Sequence, residues 1–215
     1  MADSVARVLD AVARGVFPVP DGSTTVLPQS GRREAGVLAF TAHSVVFVDE
    51  DPAWVRRTLA GLDCDPLAAS LHPSFLGALT ERTGRHMDTV DLLTVAGALP
   101  GPPPLPLREV TGTDHPRVAR ALRRRDGVRV WAADGGLLVL GRGLAGRWEA
   151  AIEVAEPVGA GHRPGLGRAL AGAARHLVPE GAVVWAQQAP GNARSVRAFQ
   201  AAGYRPVGAE VLLWR

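Results

Sequence analysis

Apolar residues at Val5, Val8, Leu9, Val12 and Val16 recur at helical spacing and predict an amphipathic helix over residues 4–16, with Asp3 or Ser4 as its cap. Pro18, Pro20 and Asp21-Gly22 end it, and residues 24–27 read as a short strand. Two β-rich runs follow at 37–40 and 45–48, with Ala42-His43-Ser44 between them. Asp51-Pro52 opens a helix through Leu59: Asp51 caps it, Pro52 takes the first helical position, and Trp54, Val55 and Leu59 face inward. A helix at about 73–83 and a strand at 89–95 complete an α+β pattern.

The pattern breaks at Leu99-Pro100-Gly101-Pro102-Pro103-Pro104-Leu105-Pro106, a proline run that fits neither a helix nor a central strand and reads as a stiff linker. Beyond it the order is regular. A strand at 107–110 precedes a helix at 115–125, with Asp114 as cap. Strands at 128–132 and 137–140 form a hairpin across Ala133-Asp134-Gly135-Gly136. A strand at 148–154, a helix at 165–177, a strand at 182–187 and a helix at 192–202 follow, and residues 207–214 hold the last strands. The second half therefore reads β-α-β-β-β-α-β-α-β. The expected organisation is a lobe at 1–99, a linker at 100–106 and a second domain at 107–215.

Composition narrows the function classes. A chain of 215 residues is long enough to bury a real core. No window approaches the ~20 apolar residues of a membrane span, and the N-terminus lacks a signal peptide's basic head, apolar middle and cleavage site. A soluble, cytoplasmic protein without membrane contact is the expectation. All 24 basic side chains in the Lys+Arg count are Arg, the net charge is only +3, and the cluster Arg120–Arg125 lacks interleaved aromatics, so no nucleic-acid partner is expected. Cys64 is the single cysteine, and Asp63 and Asp65 beside it disfavour a thiolate. The six histidines show no HExxH or paired spacing, so no metal site is expected. No Gly-x-Ser-x-Gly elbow marks a hydrolase. Trp54, Trp131, Trp148 and Trp185 read as packing residues.

Candidate chemistry sits after the strand at 148–154. The stretch Gly161-His162-Arg163-Pro164-Gly165-Leu166-Gly167-Arg168 is a glycine-containing loop that runs into a helix N-terminus. Glycines there let backbone approach a ligand closely, and the helix start offers unpaired N–H groups and a positive dipole end, which suits a phosphate or pyrophosphate. The loop is neither a Walker A motif nor a full dinucleotide fingerprint, and alone it also fits a tight turn into an Ala-rich helix. Downstream, Gln188-Ala189-Pro190-Gly191-Asn192-Ala193-Arg194-Ser195-Val196-Arg197-Ala198-Phe199-Gln200-Ala201-Ala202-Gly203-Tyr204 is a strand end, an Asn-capped helix and a Gly-aromatic exit.

Together the two segments resemble the GNAT superfamily of N-acetyltransferases over about residues 107–215. Gly165 and Gly167 match the glycines of its loop, and Asn192, Ser195, Gly203 and Tyr204 match its second block. The resemblance implies an α/β fold, a GNAT-like mixed sheet flanked by helices, beside a smaller N-terminal α+β lobe. That lobe carries no motif of its own and reads either as a divergent partner half or as an extension completing the sheet. The implied activity is acetyl transfer from acetyl-CoA to a small-molecule or peptide amine by direct attack. Coenzyme A would contact the backbone of Ile152, Glu153 and Val154, the loop and helix start at His162, Arg163, Gly165, Leu166, Gly167 and Arg168, and Asn192 with Ser195. Departures are His162 in the first motif position, Pro164 in the loop, and Phe199 where the family often has an acidic Tyr. Ser195 is the candidate substitute acid. Glu149 and Glu153, which share the strand face opposite Trp148, Ile152 and Val154, are the candidate bases. The alternatives are a non-catalytic acyl-CoA-binding or sensing module and a general nucleotide or phosphate binder.

Overall fold

Five of the six described α-helices start where a polar side chain takes a free backbone N–H. Ser4, Asp51 and Asn192 each accept from an amide two or three residues on. Imidazoles do the same at His72 and His115, where Nδ1 accepts from the amides of Ser74 and Arg117 and proline takes the first turn. The expected cap Asp114 is thus replaced by its neighbour, because Pro116 already fixes the first helical φ one position later than a helix starting at 115 needs.

The computed structural model describes residues 4–112, 114–155 and 165–215. In chain order its elements are α1 (Val5–Ala13), β1 (Thr24–Leu27), β2 (Glu34–Phe40), β3 (His43–Phe47), α2 (Pro52–Ala60), α3 (Pro73–Thr83) and β4 (Asp91–Gly97). Then come β5 (Arg108–Val110), α4 (Pro116–Arg124), β6 (Asp126–Ala133), β7 (Gly136–Arg142), β8 (Trp148–Val154), α5 (Leu166–Ala174), β9 (Val183–Gln188), α6 (Ala193–Ala201) and β10 (Arg205–Trp214). The β-α-β-β-β-α-β-α-β order after the proline run is the one the sequence pattern predicts. The strand expected at 89–95 lies two residues later, and the expected last strands are one strand, β10. Two compact units divide the chain: Met1–Leu92 with Val207–Arg215, and Leu93–Pro206.

In the first unit the strand order is β1-β3-β2-β10. β1 runs parallel to β3, and β2 is antiparallel to both β3 and β10. One face buries Val37, Val46, Val211 and Leu213 under Val55 of α2 and Phe75 and Leu79 of α3. β10 is the last strand in the chain, yet Ala209–Trp214 pair along β2, so this core needs the C-terminal residues.

In the second unit the order is β4-β9-β8-β7-β6-β5. β5 through β8 are antiparallel neighbours, and β8 and β9 are parallel. The β6–β7 hairpin turns through Asp134-Gly135. One face packs Leu138, Leu140, Ala150 and Ala186 against Leu166 and Leu170 of α5 and Phe199 of α6. The other packs Val130 and Val139 against Val118 and Ala121 of α4. Strand alternation produces both faces. The chain is thus an α/β protein of mixed sheets flanked by helices.

The proline-rich stretch expected as a linker is docked on the second unit. Leu105 and Leu107 pack against the α5-side core. His176 Nδ1 donates to the carbonyls of Pro100 and Gly101 at 3.0 and 3.1 Å. Arg175 Nε donates to the Gly97 carbonyl at 2.9 Å, and the Leu99 amide donates to the Arg175 carbonyl. A proline run has few N–H donors of its own, and here His176, just past the end of α5, takes up the carbonyls of Pro100 and Gly101. The unit boundaries accordingly fall at Leu93 and Val207, not at the prolines.

Candidate functional site

β8 is paired with β7 over its whole length, from Trp148 opposite Arg142 to Val154 opposite Gly136. Its pairing with β9 is different. Only Trp148 with Val184 and Glu149 with Trp185 are in register among the described residues, although β8 continues to Val154 and β9 to Gln188. Two parallel strands therefore meet at their starts and run on without a described register. The edge of β8 at Ile152, Glu153 and Val154, which the sequence motif singles out, lies in the part beyond the register.

The start of α5 lies against the same part of β8. Gly165 is its N-cap residue, at φ +86°, a conformation that favours glycine. A Cβ on Gly167 would stand 3.5 Å from Ala198, 3.7 Å from Val154 and 3.8 Å from Ile152, ordinary contact distances. Leu166 is buried in the core and Arg168 is exposed. His162 and Arg163, expected beside them, lie outside the described residues. A cleft of about 470 Å³ opens along the outward side of α5, lined among others by Leu99, Pro104, Gly165, Arg168, His176 and Ala202. No β8 or β9 residue lines it, so it adjoins the helix start without being the gap beyond the paired strand ends.

Asn192 caps α6, its Oδ1 accepting from the Ser195 amide at 3.0 Å. Phe199 is buried at 2 % exposure and meets the Tyr204 ring edge to face at 4.9 Å. Tyr204 donates its hydroxyl to the Ala171 carbonyl of α5 at 3.2 Å. Burial pushes the Tyr204 phenol above its usual range, against a smaller opposing effect of the Arg175 charge. These two aromatics fasten α6 to α5, and neither holds a proton ready for transfer.

The two candidate bases share the α4 side of β8 but differ in surroundings. Glu149 is buried at 4 %. Its Oε1 accepts from Arg147 Nε at 2.8 Å and the Leu144 amide at 3.3 Å, and its Oε2 accepts from Arg125 Nε at 2.9 Å. Burial pushes this carboxyl up; the charges of Arg147 and Arg125, with the hydrogen bonds, outweigh it and hold the group well below the usual carboxylate range. Both oxygens of Glu149, a candidate base by its strand position, are thus committed to donors. Glu153 is half-buried, and its Oε2 accepts from Arg117 Nε of α4 at 2.5 Å.

Sequence reasoning misses Arg125 and Arg147. Arg125 reads as part of a solvated arginine face, but it ends α4 and turns in to Glu149. Arg147 stands two residues before Glu149, the spacing that places side chains on one face of an extended chain; that signal is present in the sequence. Among the described residues no group of three or more His, Cys, Asp or Glu is placed to hold a metal ion, and no helix is long and apolar enough to cross a membrane. Cys64 lies partly buried in a loop.

No family model and no curated protein matches the chain. Among solved structures, it is similar to a GCN5-related N-acetyltransferase from Kribbella flavida, with TM-score 0.43 and 17 % identity over 98 % of this chain and 93 % of that one. It is also similar to a GCN5-related N-acetyltransferase from Sphaerobacter thermophilus, with TM-score 0.36 and 15 % identity over 66 % of this chain. There it spans 56 % of the other chain's length. Likeness of this order concerns the fold alone, and activity has to be argued from the site.

Proposed function

We propose that the second unit binds acetyl-CoA and transfers its acetyl group to a primary amine by direct attack. The observation that carries this reading is the parallel pair β8 and β9, in register among the described residues only at Trp148 and Glu149, with α5 beginning against the unmatched end of β8. In this reading the β8 backbone at Ile152–Val154 pairs with the pantetheine arm as a further strand would. The α5 start at Gly165–Arg168 receives the pyrophosphate through its free amides and dipole, with the Arg168 charge nearby. Asn192 and Ser195 line the approach from α6.

The amine nitrogen forms a bond to the thioester carbonyl carbon and the carbon–sulfur bond breaks, so one proton must leave the nitrogen and the thiolate must end as a thiol. Glu153 takes the first proton, directly or through water, once the amine competes with Arg117 for it. Ser195 supplies the thiol proton, or water does. The acceptor is a small-molecule or peptide amine. A second reading, a non-catalytic acyl-CoA-binding module, is favoured by Phe199 in the core and by Tyr204 bonded to Ala171.

Calorimetry with acetyl-CoA on the wild type and Arg168→Glu tests the first part. Reversing an exposed charge beside the pyrophosphate should weaken binding at least about tenfold at low salt, and equal affinity would remove the pyrophosphate from this helix start. Thiol release across an amine panel separates the two readings: binding with no release by any amine supports the module.

A further inference from the structure

We infer that Glu149 is a positioning residue whose carboxylate fixes the place where β8 and β9 part, and with it the seat of the pantetheine arm. This rests on the acyl-CoA reading above. Glu149 is the last β8 residue in register with β9, and its partner there is Trp185. Its carboxylate is held by three donor groups from two separate stretches of chain. Arg125 comes from the end of α4 and also donates through Nη1 to the Glu149 carbonyl at 3.4 Å. The Leu144 amide comes from the 3-10 turn Leu144–Gly146, and Arg147 from the residue just before β8.

The same arrangement reaches across to β9. The Arg147 guanidinium lies over the Trp185 ring at 5.2 Å, so one arginine joins the β8 carboxylate to the β9 residue opposite it. The turn is shaped to admit that carboxylate. A Cβ on Gly143 would collide with the Glu149 carboxyl group. The Gly143 amide donates to the Arg147 carbonyl at 3.0 Å, closing the loop, and Ala145 accepts φ +52° within it. Backbone strain, a required glycine and two arginines thus converge on one oxygen pair. Both oxygens accept from cations, and Oε1 accepts from an amide besides, an arrangement that anchors a strand and leaves proton transfer to another group.

The test separates the two ends of coenzyme A. Glu149→Gln keeps the shape and removes the charge that binds both arginines. Gly143→Ala leaves the charge and displaces it. Calorimetry on each, with near-ultraviolet circular dichroism to confirm folding, uses coenzyme A and 3′-phosphoadenosine 5′-diphosphate, which keeps the pyrophosphate and lacks the pantetheine arm. Both variants should lose about tenfold in coenzyme A affinity, as a ligand arm that keeps only part of its backbone pairing does, with the nucleotide affinity unchanged. Unchanged coenzyme A affinity in a folded variant, or equal losses for both ligands, overturns the inference. If Glu149→Gln does not fold, Gly143→Ala decides alone. A wild type that binds no coenzyme A overturns the acyl-CoA reading itself and the inference with it.

Discussion

At the scale of single residues, Glu149 and Tyr204 carry opposite perturbations for physical reasons that can be measured. Burial favours the neutral form of both. At Tyr204 burial dominates; at Glu149 two guanidinium groups and an amide reverse it. Because the folded pKa of Glu149 lies below its unfolded value, its stabilisation is complete above the ordinary Glu range and is lost as pH falls toward the folded value. Between about pH 5 and pH 3 the wild-type melting temperature should therefore fall more steeply than that of Glu149→Gln. Calorimetric scans with equal slopes would contradict this. Tyr204→Phe loses the bond to the Ala171 carbonyl and should cost about 1 kcal/mol by denaturant titration. Coenzyme A affinity should not move, since that hydroxyl faces α5.

Among elements, α6 shows how much of the candidate site is legible in the sequence alone. Asn192 is readable as a cap because Asn directly before an apolar-periodic run favours that position, and its side chain does cap the helix. Asn192→Ala should cost about 1 kcal/mol and raise hydrogen exchange in the first turn of α6. The proline-rich segment is less legible. Its composition predicts stiffness but cannot reveal that His176 and Arg175, bonded to carbonyls 76 and 78 positions away in sequence, hold and flank it. His176→Ala should raise protease sensitivity at 100–106 while leaving the melting temperature of the main transition nearly unchanged, because only peripheral bonds are lost.

For the whole molecule, chain order and structural membership differ. Val207–Arg215 belong to the first unit, and Val211 and Leu213 are fully buried in its core. A chain ending at Pro206 should consequently lose the tertiary signal of the first unit, seen as early proteolysis within residues 1–92, and not simply a trimmed second unit. Ligand binding acts at this scale too: acetyl-CoA at a hundred times its dissociation constant should stabilise the fold by about 2.7 kcal/mol. Absence of any shift in melting temperature at millimolar acetyl-CoA would count against the proposed site.

The sequence by itself determined the local features: helix faces, caps at Asp51 and Asn192, the choice of Asp3 or Ser4 for α1, the Asp134-Gly135 hairpin, and the glycine-led start of α5. These depend on side chains a few residues apart, and periodicity records them directly. Only the tertiary structure decided the environment of Glu149, the membership of the last strand and the docking of the proline run. Arg125 and Glu149 are separated by two strands and two turns, and no period in the sequence reports which of many arginines comes to rest against one carboxylate. That choice is made when β7 and β8 bring the elements together. It also places two arginines and an amide around Glu149, which strand alternation alone presents as a candidate base.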